Sequence, residues 1–167
     1  MRVLYLLTLL LLIFSGCSTK HEVTLHPYKK PSRNELSTYQ LKSNNPIAIA
    51  LYDEYKKWHG TPYCYGGTTI DGVDCSALVQ TIFRDALGLR VPRATEEQAK
   101  IGYKISKKEI EAGDIILFKT GWSSRHSGIY LENGNFINTS TKHGVTLSNL
   151  NNPYWKEKYW QTRRVLP

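Results

Sequence analysis

GTPYCYGGTTIDGVDCSALV, residues 60–79, decides how this chain folds. It opens on a turn, passes through an extended aromatic segment, bends at a run of glycines, and enters a helix through Asp74, Cys75 and Ser76. Leu78, Val79, Ile82, Phe83 and Ala86 recur at spacings of three and four, which predicts one apolar helical face running to about Leu87. Asp74 suits the N-cap of that helix and Gly88 its C-cap. Cys75 then falls in the first turn, among N–H groups with no intrahelical partner and at the positive end of the helix dipole. Such a site favours thiolate over thiol, and the thiolate is the nucleophile. The plain alternative for a cysteine beside an apolar helix is a small buried hydrophobe, so the case needs a base elsewhere in the chain.

Upstream, residues 1–16 read as a signal segment: Arg2 supplies the charge, and residues 3–14 form an apolar run too short to span a bilayer comfortably. Phe14, Ser15 and Gly16 then precede Cys17, a pattern that resembles a bacterial lipobox with phenylalanine in place of the usual leucine. Cys17 is therefore expected to be lipidated and to begin the mature chain, its acyl chains giving the two anchors that stable attachment requires. Residues 18–45 are polar, contain Pro27 and Pro31, and read as a tether. Asn45 and Pro46 begin a helix as N-cap and first residue, with Ile47, Leu51, Tyr55 and Trp58 as its apolar stripe and Gly60 at its end. This divides the chain into 1–16, 17–45 and a domain over 46–167.

The net charge is +8, but the basic residues are scattered, and no basic helix or aromatic RNA-binding motif is present. No nucleic-acid partner is expected; an anionic envelope surface or a carboxylate-rich wall polymer suits the charge better. Three cysteines occur, and with Cys17 lipidated two remain in an oxidising compartment. Alternation in the segment Tyr63-Cys64-Tyr65 turns Cys64 away from both tyrosines, which argues against a bond to Cys75.

Downstream, residues 95–98 (Thr-Glu-Glu-Gln) fit a capping box opening a short helix. Beyond Gly113 and Asp114 the pattern changes to short apolar runs and period two, predicting strands over 115–118, 127–131, 135–139, 145–150 and 160–165. Helices first and antiparallel strands afterwards indicate an α+β domain.

Of five histidines, His21 and His26 lie in the tether, His59 at a helix end and His143 beside a turn glycine. His126 opens a strand where a sheet could face the Cys75 helix, and is the candidate base. Asn138, on the next strand, is the candidate to orient the imidazole. A three-residue hairpin loop of Glu132, Asn133 and Gly134, with Gly134 left-handed, sets Leu131 opposite Asn135 and puts His126 and Asn138 on one face as diagonal neighbours. A two-residue turn would put them on opposite faces.

GTPYCYGG, DGVDCSALV, VPRAT, EAGDIILF, HSGIYLENGNFINTSTKHGV and the YW…RRV tail together resemble the NlpC/P60 family of papain-like cysteine peptidases, most closely its lipoprotein members in Gram-negative bacteria. The resemblance implies an α+β papain-like fold, with N-terminal helices packed on a C-terminal antiparallel sheet. It implies a Cys75–His126–Asn138 triad, a Tyr63 hydroxyl donating to the oxyanion, and a substrate site shaped by Asp74 and Ser76. It further implies a lipid-anchored periplasmic endopeptidase, sorted to the outer membrane, that cuts peptidoglycan stem peptides as a monomer without metal or cofactor. Both the D-glutamyl–diaminopimelate bond and diaminopimelate–D-alanine crosslinks remain open as its target. Acyl transfer through the same thioester is the alternative reaction, and wall binding without catalysis a more distant one. Ala77 after Cys-Ser, Ser127 after His126, Asn138 where histidine is commonest, and Cys64 beside the tyrosine depart from the family pattern.

Overall fold

The computed structural model describes residues 43–166. The leader, Cys17, His21, His26 and most of the tether lie outside the described residues. Helix α1 (Pro46–Trp58) begins as its sequence predicts: Asn45 Oδ1 accepts hydrogen bonds from the N–H groups of Ile47, at 2.9 Å, and Ala48, at 3.4 Å. Helix α2 (Cys75–Leu87) starts at Asp74, whose Oδ1 accepts from Ala77 N–H at 2.8 Å, and stops at Gly88 in the left-handed conformation. Leu78, Val79, Ile82 and Phe83 are fully buried. Burial of each such side chain contributes about 1.5–3 kcal/mol, against about 1 kcal/mol for a cap. Packing therefore sets where α2 lies, and the cap sets where it begins.

Six strands form one antiparallel sheet: β3 (Tyr103–Ile105), β4 (Ile115–Lys119), β5 (Arg125–Tyr130), β6 (Asn135–Ser140), β7 (Gly144–Asn149) and β8 (Tyr159–Arg164). Their spatial order is β3-β8-β4-β5-β6-β7, so the last strand inserts between β3 and β4. Ile115, Leu117, Ile129, Leu131, Ile137 and Val145 join Leu51, Leu78 and Phe83 in the main core. Ile116, Phe118 and Phe136 lie in a second core with Leu150, against which Trp155 and Tyr159 pack. Because both faces are covered, the interior strand β4 is a continuous apolar run, Ile-Ile-Leu-Phe, rather than an alternating one.

The five expected strands are all present, with ends displaced by one or two residues. The sequence reading missed four elements. Strand β3 is short and mostly exposed. A two-residue hairpin pair, β1 (Thr68–Thr69) and β2 (Gly72–Val73), forms inside the glycine-rich bend. Helix α4 (Pro153–Lys158) opens with Asn152 and Pro153, the same cap-and-proline signal that announced α1. The extended segment around Tyr63 is joined to the rest by a single bridge to Val73 rather than by a ladder.

The predicted capping box does not form. In the short helix α3 (Thr95–Gln98) the N-cap is Ala94, and no side chain caps it. Both ends of the motif are drawn into tertiary contacts: Thr95 Oγ1 lies 3.9 Å from Cys75 Sγ, and buried Gln98 donates to the carbonyls of Ser76, at 3.0 Å, and Pro92, at 2.9 Å.

Candidate active site

Cys75 lies at the first turn of α2, which packs on β5 and β6. The thiol is buried but borders an open groove of about 800 Å³, lined also by Tyr63, Tyr65, Asp74, Thr95 and His126. Burial alone would push this thiol up. A hydrogen bond and favourable charge interaction with His126, the Ser127 backbone and the Thr95 hydroxyl outweigh burial and lower its pKa to about 7. This favourable interaction brings together Cys75 and His126, the two side chains that sequence reasoning singled out.

Turn chemistry aligns the histidine strand with its neighbour. Asn133 and Gly134 both have positive φ, 55° and 81°. Leu131 N–H donates to Asn135 O at 2.9 Å, and Asn135 N–H to Glu132 O at 2.9 Å, closing the three-residue loop. The pairs Ile129 with Ile137 and Tyr130 with Phe136 have the register that this loop dictates. The paired ladder between β5 and β6 stops there, short of His126. The imidazole stacks on Trp155 with ring centres 5.4 Å apart and lies 6.1 Å from the Phe118 ring. Its Nε2 is buried without a hydrogen-bond partner among the described residues.

Asn138 is fully buried and does not reach the groove surface. Its Nδ2 donates to Ser148 Oγ at 2.9 Å and to Thr146 O at 3.4 Å. A carbonyl accepts only, so these bonds fix which end of the amide is nitrogen. The other end, Oδ1, is buried and unpartnered among the described residues, like His126 Nε2.

Asp74 caps α2 and does more. Its Oδ1 accepts from Ala77 N–H, from Ser76 Oγ at 3.0 Å and from Arg93 Nη1 at 2.9 Å. Its Oδ2 accepts from Gly66 N–H at 3.1 Å and from Arg93 Nη2 at 2.6 Å. Burial would raise this carboxyl's pKa, but the Arg93 fork and the other donors hold it below the ordinary carboxylate value. Asp74 thus ties the loop that carries Tyr63 and Tyr65 to the start of α2. Ser76 is buried beneath the groove rather than lining it, and its hydroxyl also accepts from Arg93 at 2.9 Å.

Burial, followed by the charges of Cys75 and Asp74, raises the pKa of Tyr63, so its hydroxyl keeps its proton and remains a donor. Cys64 is a free thiol on the exposed side of this segment and does not line the groove. Sequence reasoning missed Arg93, Thr95, Trp155 and His143, the last of which lines the groove from the β6–β7 turn. Arg93 and Thr95 stand in the motif VPRAT, which marks the place without giving a role. Among the described residues, no group of three or more His, Cys, Asp and Glu side chains is placed to hold a metal ion.

A helix that presents a lowered-pKa thiol, packed on an antiparallel sheet that carries the partner histidine, defines a papain-like α+β domain. The chain belongs to the NlpC/P60 family, whose model matches residues 60–164. It is 38% identical over 163 residues to the murein DD-endopeptidase MepS/murein LD-carboxypeptidase of Escherichia coli K12, covering 92% of this chain and 87% of that protein. It is 43% identical over 164 residues to the probable endopeptidase NlpC of the same organism, covering 97% of each. Among solved structures, an NlpC/P60 family protein from Bacillus cereus superposes with a TM-score of 0.65 at 33% identity, covering 72% of this chain and 40% of that one. A lipoprotein-like NLP/P60 protein from Staphylococcus aureus superposes with a TM-score of 0.66 at 30% identity, covering 78% of this chain and 45% of that one.

Proposed function

We propose that this chain is a cysteine endopeptidase acting on peptidoglycan, cutting an amide bond in murein stem peptides or their crosslinks. The observation that carries the reading is the Cys75 thiol, lowered to about 7 by His126 beside an open groove. The relatives, named as murein and probable endopeptidases, supply the substrate class.

In this reading the Cys75 thiolate attacks the scissile carbonyl. The N–H groups at the start of α2 and the Tyr63 hydroxyl receive the negative charge on oxygen; losing one such donor typically costs about 100- to 1000-fold. The tetrahedral intermediate collapses to a thioester as His126 gives its proton to the departing amine. His126 then takes a proton from water, which attacks the thioester, releases the acid and restores the thiol. Asn138 is the residue assigned to orient the His126 ring; its Oδ1 and His126 Nε2 are each unpartnered among the described residues, so a hydrogen bond between them requires a side-chain adjustment. Asp74 and Ser76 shape the substrate site through Arg93 and the loop they anchor.

Cys75→Ser tests the assignment. Mass spectrometry of muropeptides released from purified wall should find no cleavage by this variant, because a serine hydroxyl is poorly activated in a site built for a thiolate. Cleavage above about a hundredth of the wild-type rate would overturn it.

The same reading places the enzyme in the periplasm as a monomer. The leader ends at residue 16, the Cys17 lipid inserts in the outer membrane, and residues 17–45 tether the catalytic domain of residues 46–167. Cys17→Ala should give a precursor that is neither lipidated nor cleaved after Gly16. Normal-sized soluble protein from that variant would refute the anchor.

A further inference from the structure

The arginines of this domain are unequally matched. Arg84 holds Asp85, Arg93 holds Asp74, and Arg164 holds Asp114 and Glu111. Arg125 lines the groove as the residue before His126, yet forms no ion pair among the described residues. Its Nη1 donates to two backbone carbonyls, Ser124 at 3.1 Å and Trp122 at 3.4 Å. Its guanidinium lies 5.7 Å from the centre of the Trp160 ring. These contacts steady the fork through one nitrogen and leave Nε and Nη2 for a ligand. A planar guanidinium so held matches a carboxylate through two parallel hydrogen bonds.

The geometry points to Arg125 as the residue that binds the carboxylate of the leaving group, selecting amide bonds whose released amine sits on a carbon that also bears a free carboxylate. This rests on the murein hydrolase reading and narrows it. His126 hands its proton to the departing amine, so the leaving residue lies on the histidine side of the thiol, in the groove that Arg125 also lines. A carboxypeptidase cut releases a residue with a free carboxylate by definition. A DD cut through a diaminopimelate crosslink releases an amine whose carbon carries one too. One arginine therefore serves both kinds of cut. A cut between glutamate and diaminopimelate in a tetrapeptide stem releases an amine beside a carboxyl already in amide linkage, and offers Arg125 nothing. Lys142, on the β6–β7 turn, also lines the groove, but it is exposed and carries a point charge on a flexible stem.

Four purified substrates test this on the full chain. They are a disaccharide tetrapeptide and a DD-crosslinked dimer, each with the leaving-residue carboxylate free or converted to the amide. The wild type should prefer the free acids. Arg125→Ala should lower kcat/KM on the free acids by about 10- to 100-fold, the range for a hydrogen bond to a charged group, and change it less than twofold on the amides. Arg125→Lys should recover part of the loss. An equal fall on acids and amides means a structural role and overturns the proposal, as does no fall on either, or a fall that follows Lys142→Ala instead. Wild-type cleavage after glutamate alone also overturns it while leaving the hydrolase reading standing. A wild type inert toward all four and toward purified wall overturns both.

Discussion

At the scale of single residues, the reactivity of Cys75 is a balance between burial, which raises its pKa, and His126, Ser127 and Thr95, which lower it. With the pKa near 7, the thiolate predominates above that pH and falls about tenfold for each unit below it. Alkylation of Cys75 by iodoacetamide should therefore rise with pH through an inflection near 7, well below the ordinary thiol value of about 8.5. His126→Ala removes the strongest contact that lowers this pKa, while burial, the Ser127 backbone and Thr95 remain, so the inflection should move up toward the ordinary value. A profile unmoved by that substitution would mean that His126 does not set the thiol. In the proposed function Asn138 acts one step further out. An orienting partner is worth about 10- to 100-fold, so Asn138→Ala should lower turnover by that amount, and by less than His126→Ala. Asn138→His should retain substantial activity, and an alanine variant with wild-type turnover would make Asn138 a polar strand residue and nothing more.

At the scale of elements, the groove depends on how the loop before α2 is pinned to the sheet. Val145 N–H donates to Thr61 O at 2.9 Å, and Gly60 N–H to Val145 O at 2.9 Å. Gly144 makes this approach possible. Its φ is +64°, and a Cβ there would meet Thr61 O at 2.3 Å. Gly144→Ala adds left-handed strain and pushes the 60–61 backbone off β7, and Tyr63 with it. Loss of about 2–4 kcal/mol of stability is expected in urea unfolding. A loss below about 0.5 kcal/mol, the range of a neutral surface change, would show that the loop is not held there. The failed capping box belongs to this scale too. A local motif worth about 1 kcal/mol yields when its threonine and glutamine find better partners in the core.

At the scale of the whole molecule, the last strand is an interior one. β8 pairs with both β3 and β4, and Arg164 binds Asp114 through Nε at 2.8 Å and Nη2 at 2.9 Å. Ending the chain after Lys158 would unpair β3 and expose the edge of an apolar strand, a template for aggregation. Such a truncation should be insoluble, or should lack a cooperative melt by circular dichroism. A soluble truncation with the wild-type melting temperature would show that β8 is dispensable to the sheet.

The sequence by itself determined α1 and α2, the placing of Cys75 at the first turn of α2, and the five expected strands to within two residues at their ends. Each follows from interactions within a few residues: a cap, an apolar period, or a glycine that accepts positive φ. The pairing of Cys75 with His126 and of Asp74 with Arg93 joins residues 51 and 19 positions apart, and no local pattern carries that information. The sequence could nominate His126 and Asn138 because strand alternation and loop length are arithmetic. Only the tertiary structure decided that Trp155 stacks on the histidine, that Thr95 turns to the thiol instead of capping its own helix, and that β8 inserts inside the sheet. The physical reason is that burial and long-range contact set the value of each polar group, and both exist only once the helices and the sheet have packed.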